Sequence, residues 1–530
     1  MSALAVAVGL LAGCGGAGAG GGAGGRVQTP GASASGQAKA YRWLVRTAGS
    51  PPSIAAENRM PGTRAWRLPG PPQLLGGAAR GAIAGYVSEQ TVAAGQRESV
   101  YVRAPGAHTV GLEVYRMGWY GGTGGRLVLR SAALATVAQP PCGHRDATGL
   151  TECNWHPALT FLVPEGLPSG VYIVKMHAST GAEGDCLFVL RPLRAPPLLV
   201  QIPTATYEAY NAWGGDSLYP GGTRQVGVTG TSQGVEVSYD RPYESQTGAG
   251  QFFIGDVAVV RFLERYGYPV GYTTQASIDG DPGQTQGPRA LIDVGHSEYW
   301  SAGDRGAFER ALSGGASLIF LSSDTMAWRV RFEPASGASG QAGQSGHRIV
   351  AYKQLAALDP SRGERTGVFA DGGAALVGSA YDGCITPRLA GSGPPTYRYY
   401  EWRASATLEP RWLFAHTGVT AGTSIPGIVG YELDMRTPAT PPGTQLVGSG
   451  TGATCMPENE PTPAHGTIAE TTLYRAPSGA LVFATGALGW EYGLEPVPQA
   501  SPDAPRSPDG RVVAMTRNLL GRAMAGGRGP

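Results

Sequence analysis

The stretch Ala290-Leu291-Ile292-Asp293-Val294-Gly295-His296-Ser297-Glu298-Tyr299-Trp300 decides the fold of this chain. Its first five residues form a short, largely apolar run of the kind that makes a buried strand. The strand is expected to stop at Gly295, and three side chains that can bind a metal or move a proton follow at once: His296, Glu298 and Tyr299. In open α/β sheets, ligands bind just past the carboxyl ends of strands. The sequence therefore predicts chemistry at this strand end.

Alternating strands and helices are predicted on both sides of this stretch. A first strand is expected at 197–202, followed by a helix at 253–266. After the central strand, a helix is expected at 304–312 with Ser301 as its cap, and a buried strand at 317–322. This alternation indicates a parallel sheet flanked by helices.

The region before this sheet has a different pattern, in which short apolar runs are separated by turn residues. Such runs, several with period two, are typical of an antiparallel β-sandwich. The predicted strands lie at 83–87, 99–102, 110–115, 127–129, 159–163, 170–175 and 186–190. The predicted fold class is therefore α/β plus all-β, with an N-terminal antiparallel β-sandwich at 65–195 and a parallel-sheet α/β domain at 196–500. Residues 26–64 are expected to be a linker, and residues 501–530 a flexible, frayed tail.

Length and charge limit the classes of function. The chain has 530 residues, which is too long for one ordinary domain. Its 41 basic and 39 acidic residues give a net charge of +2, without a basic block. Nucleic acid is therefore not expected as a partner.

The N-terminal segment resembles an export signal. Residues 3–12 are apolar, and Leu11-Ala12-Gly13-Cys14 resembles a bacterial lipobox, in which the cysteine is lipidated after cleavage. The Gly/Ala tract at 15–25 would form a flexible tether, although the usual Lys/Arg region of a signal is missing. We expect an exported protein, held at the extracytoplasmic face of the cell membrane only by a lipid at Cys14.

Export would permit disulfide bonds. Cys142 and Cys153 lie eleven residues apart and could pair, as could Cys384 and Cys455. The connectivity is not determined by the sequence, and one of the five cysteines after Cys14 is left over.

Polar and aromatic clusters follow the predicted strands of the α/β domain. They lie at 206–219, 239–243, 296–300 and 324–331. In a parallel sheet, such clusters converge on one edge. Taken alone, the tyrosines are better explained as packing aromatics, and a His-x-Glu after a strand more often fixes a loop than binds a metal.

In this order, the clusters resemble the large (β) subunit of N,N-dimethylformamidase and its relatives. The shared patterns are Thr-Tyr-x-Ala-Tyr-Asn-x-Trp-Gly-Gly-x-Ser-Leu-Tyr at 206–219, Asp-Arg-Pro-Tyr at 240–243, Gly-His-x-Glu-Tyr-Trp at 295–300 and Trp-Arg-x-Arg at 328–331. The segment 115–122 is similar to a signature of that family's β-domain, and we expect it to be a turn that docks the two domains. The resemblance covers about residues 80–495.

The resemblance implies an amidohydrolase whose catalytic domain has a glutamine-amidotransferase-like fold and holds one iron ion by two tyrosinates and one glutamate. Glu298 matches the glutamate ligand, and His296 matches the nearby histidine of the same motif. Tyr207 and Tyr219 are the candidates for the two tyrosine ligands. Tyr210 and Tyr243 remain open as alternatives. The family's known enzyme works with a small partner subunit, so a partner subunit or a homo-oligomer is expected here.

Three further residues match the remaining polar positions of the family's site. Asp324 stands where the family more often has Asn, and this departure adds an acid to the site. Glu432 could act as base on a water, and Lys353 could stabilise an oxyanion. His296 could orient the glutamate or move a proton. The implied substrate is a small-molecule amide.

Two other functions remain open at this point. The chain could be a non-catalytic cell-envelope or carbohydrate-binding lipoprotein on a degenerate scaffold. The expected export supports this function, and so does Asp324 at a position where the family more often has Asn. Alternatively, paired carboxylates such as Glu298 and Glu432 could hydrolyse a polysaccharide or a peptidoglycan component.

Overall fold

The computed structural model describes most of the chain after residue 39. The described residues are 40–68, 82–222, 224–244, 248–335, 346–384, 387–388, 396–397, 399–452, 467–497 and 504–526. Cys14, the expected signal and the expected tether lie outside them. The described residues belong to one compact unit.

Two sheets occupy the N-terminal region. The larger sheet contains Tyr41–Trp43, Gly125–Ser131, Thr109–Met117, Gly170–Ala178, Glu183–Leu190, Thr91–Val92 and Leu134–Ala135. The smaller sheet contains Pro157–Leu162, Arg97–Arg103 and Ala84–Val87. Their pairings are antiparallel, apart from Thr91–Val92, which runs parallel to its neighbour. Apolar side chains of both sheets, such as Phe161 and Val174, belong to one buried cluster, so the two sheets share a core. All seven strands predicted here are present.

The second region is built on a nine-stranded sheet, called the main sheet. Its first five strands are parallel: Val270–Thr274, Leu198–Ile202, Ala290–His296, Ser317–Ser323 and Leu481–Ala484. The sheet continues with four antiparallel strands: Thr467–Arg475, Gln445–Gly452, Tyr400–Ala404 and Ser424–Val429. The predicted parallel core is confirmed, and the molecule is α/β plus β. The antiparallel half of the main sheet was not predicted.

The remaining sheets of the described residues are smaller. One contains Glu236–Ser238, Arg348–Val350, Trp328–Glu333, Tyr299–Ser301 and Gly367–Val368. Two-stranded pairs are formed by Ala380–Cys384 with Glu432–Met435, Gly143–Arg145 with Leu150–Glu152, and Pro387–Arg388 with Thr396–Tyr397. Because Tyr299–Ser301 and Trp328–Glu333 pair directly after two central strands end, they cover the carboxyl edge of the main sheet.

Short helices connect and flank these strands. The α-helices of the described residues are Ile54–Glu57, Thr204–Ala209, Asp256–Arg265, Gln275–Gly280, Ala302–Ser313, Ala374–Val377, Arg411–Phe414, Trp490–Leu494 and Gly510–Met524, and 3-10 turns lie at Tyr120–Gly122, Pro282–Thr285 and Lys353–Leu358. The predicted cap is confirmed, since the Asp304 backbone N–H donates to Ser301 Oγ at 2.9 Å. Within the part of the chain that is described, none of the helices has the length and apolarity to cross a membrane.

Two predicted irregular segments are instead structured. Within the expected linker, Tyr41–Trp43 pairs with Gly125–Ser131 and Ile54–Glu57 is helical. The prediction of a frayed tail at 501–530 is wrong for Gly510–Met524, a 15-residue helix. This helix buries one apolar face, including Leu519, in the core that also contains the main sheet.

A buried ion pair joins the antiparallel region to the main-sheet region. The Arg116 guanidinium donates to both carboxylate oxygens of Glu264, at 2.7 and 2.8 Å, and both side chains are fully buried. Tyr120 also accepts from Arg116, at 3.0 Å. The expectation that 115–122 docks the two regions is therefore confirmed for these residues.

The cysteine pattern agrees with the sequence where it is described. Cys142 and Cys153 form a disulfide. Cys384 is disulfide-bonded, and its predicted partner Cys455 lies outside the described residues. Cys186 is a free, buried thiol.

Candidate active site

The candidate site begins where two neighbouring parallel strands end. His296 is the last residue of its strand and pairs in register with Ser323 of the next one. His296 Nε2 lies 3.4 Å from Glu298 Oε2 and 3.5 Å from Asp324 Oδ2. All three side chains are buried. The strand-end prediction is therefore correct in placing these groups together.

Two tyrosines from the loop after the first strand reach the same point. Tyr219 Oη donates to Glu298 Oε1 at 2.5 Å and lies 2.9 Å from Tyr210 Oη. The two phenol rings are 4.3 Å apart, and the Tyr210 ring is 5.2 Å from the ring of His296. Two phenol oxygens and a carboxylate thus meet at the edge of the main sheet.

Tyr207, the other tyrosine favoured from the sequence, does not join this group. Its hydroxyl donates to the buried carboxyl of Asp256, and its ring packs against Tyr243 at 6.3 Å. The hydroxyl of Tyr243 donates to Gln90 at 3.1 Å. In the structure Tyr210, and not Tyr207 or Tyr243, therefore lies beside Tyr219 and Glu298.

The phase of one short helix explains this correction. Thr204–Ala209 follows the first strand, and residues four apart lie on the same helix face. Thr206 Oγ1 accepts from the Glu298 backbone N–H at 3.0 Å, so this face points to the site. Tyr210, four residues after Thr206, follows the same face, whereas Tyr207 lies about 100° around the helix. Sequence reasoning missed Thr206, and the Thr206–Tyr210 spacing was the signal that could have found it.

Lys353 lies beside the tyrosines. Its ammonium is 3.4 Å from the ring centroid of Tyr219 and 5.0 Å from that of Trp328, and the side chain is buried. It also donates to the Leu218 carbonyl at 3.3 Å. The expectation of Lys353 as a site residue agrees with this position.

Glu432 and its neighbours close the site from the strand Glu432–Met435. The backbone N–H of Asp324 donates to Asp434 Oδ1 at 2.8 Å, and Tyr431 Oη lies 3.4 Å from His296 Nδ1. Glu432 is buried, and its charge acts on both Asp324 and Tyr210. Asp434 and Tyr431 are contacts that the sequence did not predict.

The carboxyl groups of the site repel one another. Burial raises the pKa of Asp324 well above its usual range, and Glu298 and Glu432 raise it further, while Lys353 opposes them. Asp324 therefore favours its neutral form. This arrangement concentrates more negative than positive charge in a buried space, which is unfavourable without a further cation.

Burial also shifts the pKa values of His296 and of the two tyrosines. Burial lowers the pKa of His296, and Glu298 partly opposes this effect. Burial also raises the pKa of Tyr210 and of Tyr219 well above the usual value, with the charge of Glu298 acting in the same direction. The lowered pKa favours the neutral imidazole of His296, and the raised pKa values favour the protonated phenols unless a cation lies nearby.

The donor set fits a hard metal ion. Carboxylate and ring atoms of His296, Glu298 and Asp324 lie within 4.8 Å of one another. Glu298 Oε2 and Asp324 Oδ1 are buried and make no hydrogen bond to any described residue. Phenolate and carboxylate oxygens suit oxophilic metals. The residues present could therefore hold such an ion through Tyr210, Tyr219 and Glu298, with His296 beside the carboxylate.

Comparison with known proteins gives the family of this chain. The family described as N,N-dimethylformamidase beta subunit-like, C-terminal, matches residues 111–504, which include every site residue named above. The N,N-dimethylformamidase beta subunit of Alcaligenes sp is 25% identical, in an alignment covering 36% of this chain and 30% of that subunit. The chain thus matches less than a third of the length of this relative. Because the family match covers well over half of the chain, this protein belongs to the N,N-dimethylformamidase beta subunit-like family.

Proposed function

We propose that the chain is a metal-dependent hydrolase of non-peptide C–N bonds in small amides. One observation carries this proposal: the oxygens of Tyr210, Tyr219 and Glu298 meet at the buried carboxyl edge of a parallel sheet. The name of the similar Alcaligenes protein supports an amide of the N,N-dimethylformamide type as substrate.

The proposed metal is iron, and the proposed ligands are those three residues. When bound, it would supply a Lewis acid for the amide carbonyl and lower the pKa of a water. The charge balance supports this assignment, because a cation would compensate Glu298 and favour the phenolate forms of the two tyrosines.

The chain's own residues then have separate tasks. Glu432 takes a proton from water as the water oxygen forms its bond to the carbonyl carbon. The C–N bond breaks, and the same proton goes to the departing amine nitrogen. Lys353, the cation beside Tyr219, stabilises the negative charge that develops on the carbonyl oxygen. Neutral His296 lies beside the Glu298 carboxylate, with its Nε2 3.4 Å from Glu298 Oε2.

Asp324 is proposed to act as a neutral donor. Burial and its acidic neighbours raise the pKa of this carboxyl, which favours its protonated form. A protonated carboxyl offers one O–H donor and one carbonyl acceptor, much as an asparagine amide offers N–H and carbonyl. This removes the charge conflict that an acid at this position would otherwise create.

Metal analysis of the purified full chain, together with dimethylamine release from N,N-dimethylformamide, tests the proposal. The wild type, expressed in iron-replete medium, should contain close to one metal ion and release the amine. Glu298→Ala should lose both properties, and Glu401→Ala, which changes an exposed glutamate on a distant strand, should keep both. A wild type that holds no metal contradicts the mechanism. A metal-loaded protein without turnover on a panel of small amides contradicts the substrate class.

Two finer features of the fold are also proposed. The shared core of the two antiparallel sheets supports a β-sandwich, and the helix-flanked parallel strands support a glutamine-amidotransferase-like domain.

The Cys142–Cys153 disulfide supports export, in keeping with the proposed lipid anchor at Cys14. Metabolic labelling with a palmitate analogue, lost in Cys14→Ala, tests the anchor.

A partner subunit is proposed because the similar Alcaligenes protein is itself named a beta subunit. Light scattering after size exclusion separates a monomer from a homo-oligomer. Affinity purification from the native host tests for a small second chain.

A further inference from the structure

A polar cavity lies between the antiparallel region and the main sheet, apart from the candidate active site. Its volume is about 410 Å³, within the ~300–1,000 Å³ range of small-molecule sites. One wall is formed by Glu89 to Thr91 and Arg191, and the opposite wall by the helix Gln275–Gly280. The helix follows Val270–Thr274, so the cavity lies at the carboxyl end of the edge strand of a parallel sheet.

Direct bonds tie the two walls together. Thr91 Oγ1 lies 2.7 Å from Thr274 Oγ1, and Arg191 forms a 3.0 Å ion pair with Asp281. These bonds connect residues that are 183 and 90 positions apart in the chain. The cavity is therefore part of the folded structure and requires no closing motion to form.

A buried cation lines the cavity. His347 is 7% exposed, its Nδ1 lies 3.1 Å from Asp240, and its Nε2 lies 3.5 Å from Glu89. Burial lowers the pKa of His347, but the carboxylates of Asp240 and Glu89 outweigh that effect and raise the pKa to about 10. Nε2 makes no hydrogen bond to any described residue. The charged imidazole is thus held at the cavity wall by ion pairs with these two carboxylates.

The remaining lining groups are neutral and polar. They include three amides, two hydroxyls and one phenol, contributed by Gln90, Gln96, Gln284, Ser277, Thr274 and Tyr239. The Tyr243 hydroxyl donates to Gln90 Oε1 at 3.1 Å and so fixes the orientation of that amide. The lining charges balance, since Glu89 and Asp281 oppose His347 and Arg191. Balanced charge gives no net attraction for an ion, whereas many donors and acceptors favour a ligand with many hydroxyl groups.

We propose that this cavity binds a neutral saccharide of one or two rings. The carboxylates would accept from the sugar hydroxyls and the amides would donate to them, and Ala276 would supply an apolar contact. This binding site is independent of the proposed metal centre, and its occupancy requires no metal.

Ligand-observed saturation-transfer NMR and calorimetry on the full chain test the proposal. The probes are maltose, cellobiose and N,N′-diacetylchitobiose at about 10 mM, well above a Kd of about 1 mM, with glycine and inorganic phosphate as charged comparators. Ala276→Phe places a ring into the cavity from its wall, and Gln96→Ala removes one amide. Ala302→Phe, at the exposed start of another helix, is the matched control.

We expect at least one sugar to bind with a stoichiometry near one. Ala276→Phe should weaken that binding at least tenfold, Gln96→Ala should weaken it measurably, and Ala302→Phe should leave it unchanged. The proposal is overturned if no sugar binds, or if only glycine or phosphate does. Thermal unfolding curves show whether the two cavity variants are folded. The proposal is also overturned if both variants are folded and bind sugar as tightly as the wild type does.

Discussion

Two tyrosines three residues apart should respond in opposite ways to loss of the hydroxyl group. Tyr210 Oη lies 2.9 Å from Tyr219 Oη, beside Glu298, whereas Tyr207 Oη donates to the buried carboxyl of Asp256. Tyr210→Phe should therefore remove a metal ligand and disturb little else. Tyr207→Phe should leave the metal in place and weaken the fold.

The contacts set the expected magnitudes. Tyr207→Phe takes the side-chain donor from a buried carboxyl, Asp256, which should lower the free energy of unfolding by about 1–3 kcal/mol. Tyr210→Phe breaks one hydroxyl–hydroxyl contact in the metal-free protein, for about 0.5–1.5 kcal/mol. Loss of even an outer contact of a metal site reduces affinity about 10–100-fold, so loss of the Tyr210 oxygen should reduce it at least that much.

Two assays separate these effects. Metal affinity is measured by competition with a chelator of known strength, and stability by chemical unfolding of the metal-free protein. The visible absorption expected of a phenolate bound to iron(III) should weaken in Tyr210→Phe and persist in Tyr207→Phe. If Tyr207→Phe loses the metal while Tyr210→Phe keeps it, the assignment of the ligands is refuted.

Three further outcomes follow from the described contacts. Lys353→Met should keep the metal but lower kcat for a small amide about 10²–10³-fold, as removal of an oxyanion donor does. Unchanged steady-state kinetics would contradict the proposed role of Lys353. Burial raises the pKa of Glu98 to about 8, so its contribution to stability is present in acid and is lost as the pH rises from about 4.3 to 8. Glu98→Gln should remove about 1.4 kcal/mol per pH unit from the pH dependence of the unfolding free energy over that range, and identical pH profiles would count against it. Replacing Cys142 and Cys153 by Ser opens a loop of 11 residues and should lower that free energy by about 3 kcal/mol, measured by denaturant unfolding against the oxidised wild type.

The sequence predicted the central part of the site because of a general property of parallel sheets. Buried apolar runs identified the strands ending at His296 and before Asp324, and parallel strands bring such ends together. Residues that directly follow a strand therefore need no further information to be placed.

The helix phase after the first strand could not be read in the same way. Tyr207 and Tyr210 both fall in or next to a six-residue helix, and which one faces the site depends on where that helix starts. A shift of one residue rotates the face by about 100°. Family order alone could not decide between them, and the contact between Thr206 and the Glu298 backbone does.

The antiparallel half of the main sheet and the C-terminal helix were missed for a different reason. Strands such as Gln445–Gly452 are rich in glycine, which weakens the alternation that marks a strand. The helix Gly510–Met524 carries glycine and arginine among its apolar residues, which hides its buried face. Its stability comes from tertiary packing of Leu519 and its neighbours, which no local pattern records.

Backbone strain gives an argument for function that does not depend on any relative. The described non-glycine residues with positive φ are Tyr120, Asp324, Met326, Lys353, Leu408 and His416. Three of these six, Asp324, Met326 and Lys353, belong to the site or adjoin it, and each such conformation costs about 1–3 kcal/mol. Specific bonds hold the strained loop, since Asp324 N–H donates to Asp434 at 2.8 Å and Met326 N–H to the Ser297 carbonyl at 3.0 Å. A His-x-Glu pair that merely fixed a loop would not require a second, strained loop beside it. The strain therefore favours a preorganised site over a structural pair at the end of the His296 strand.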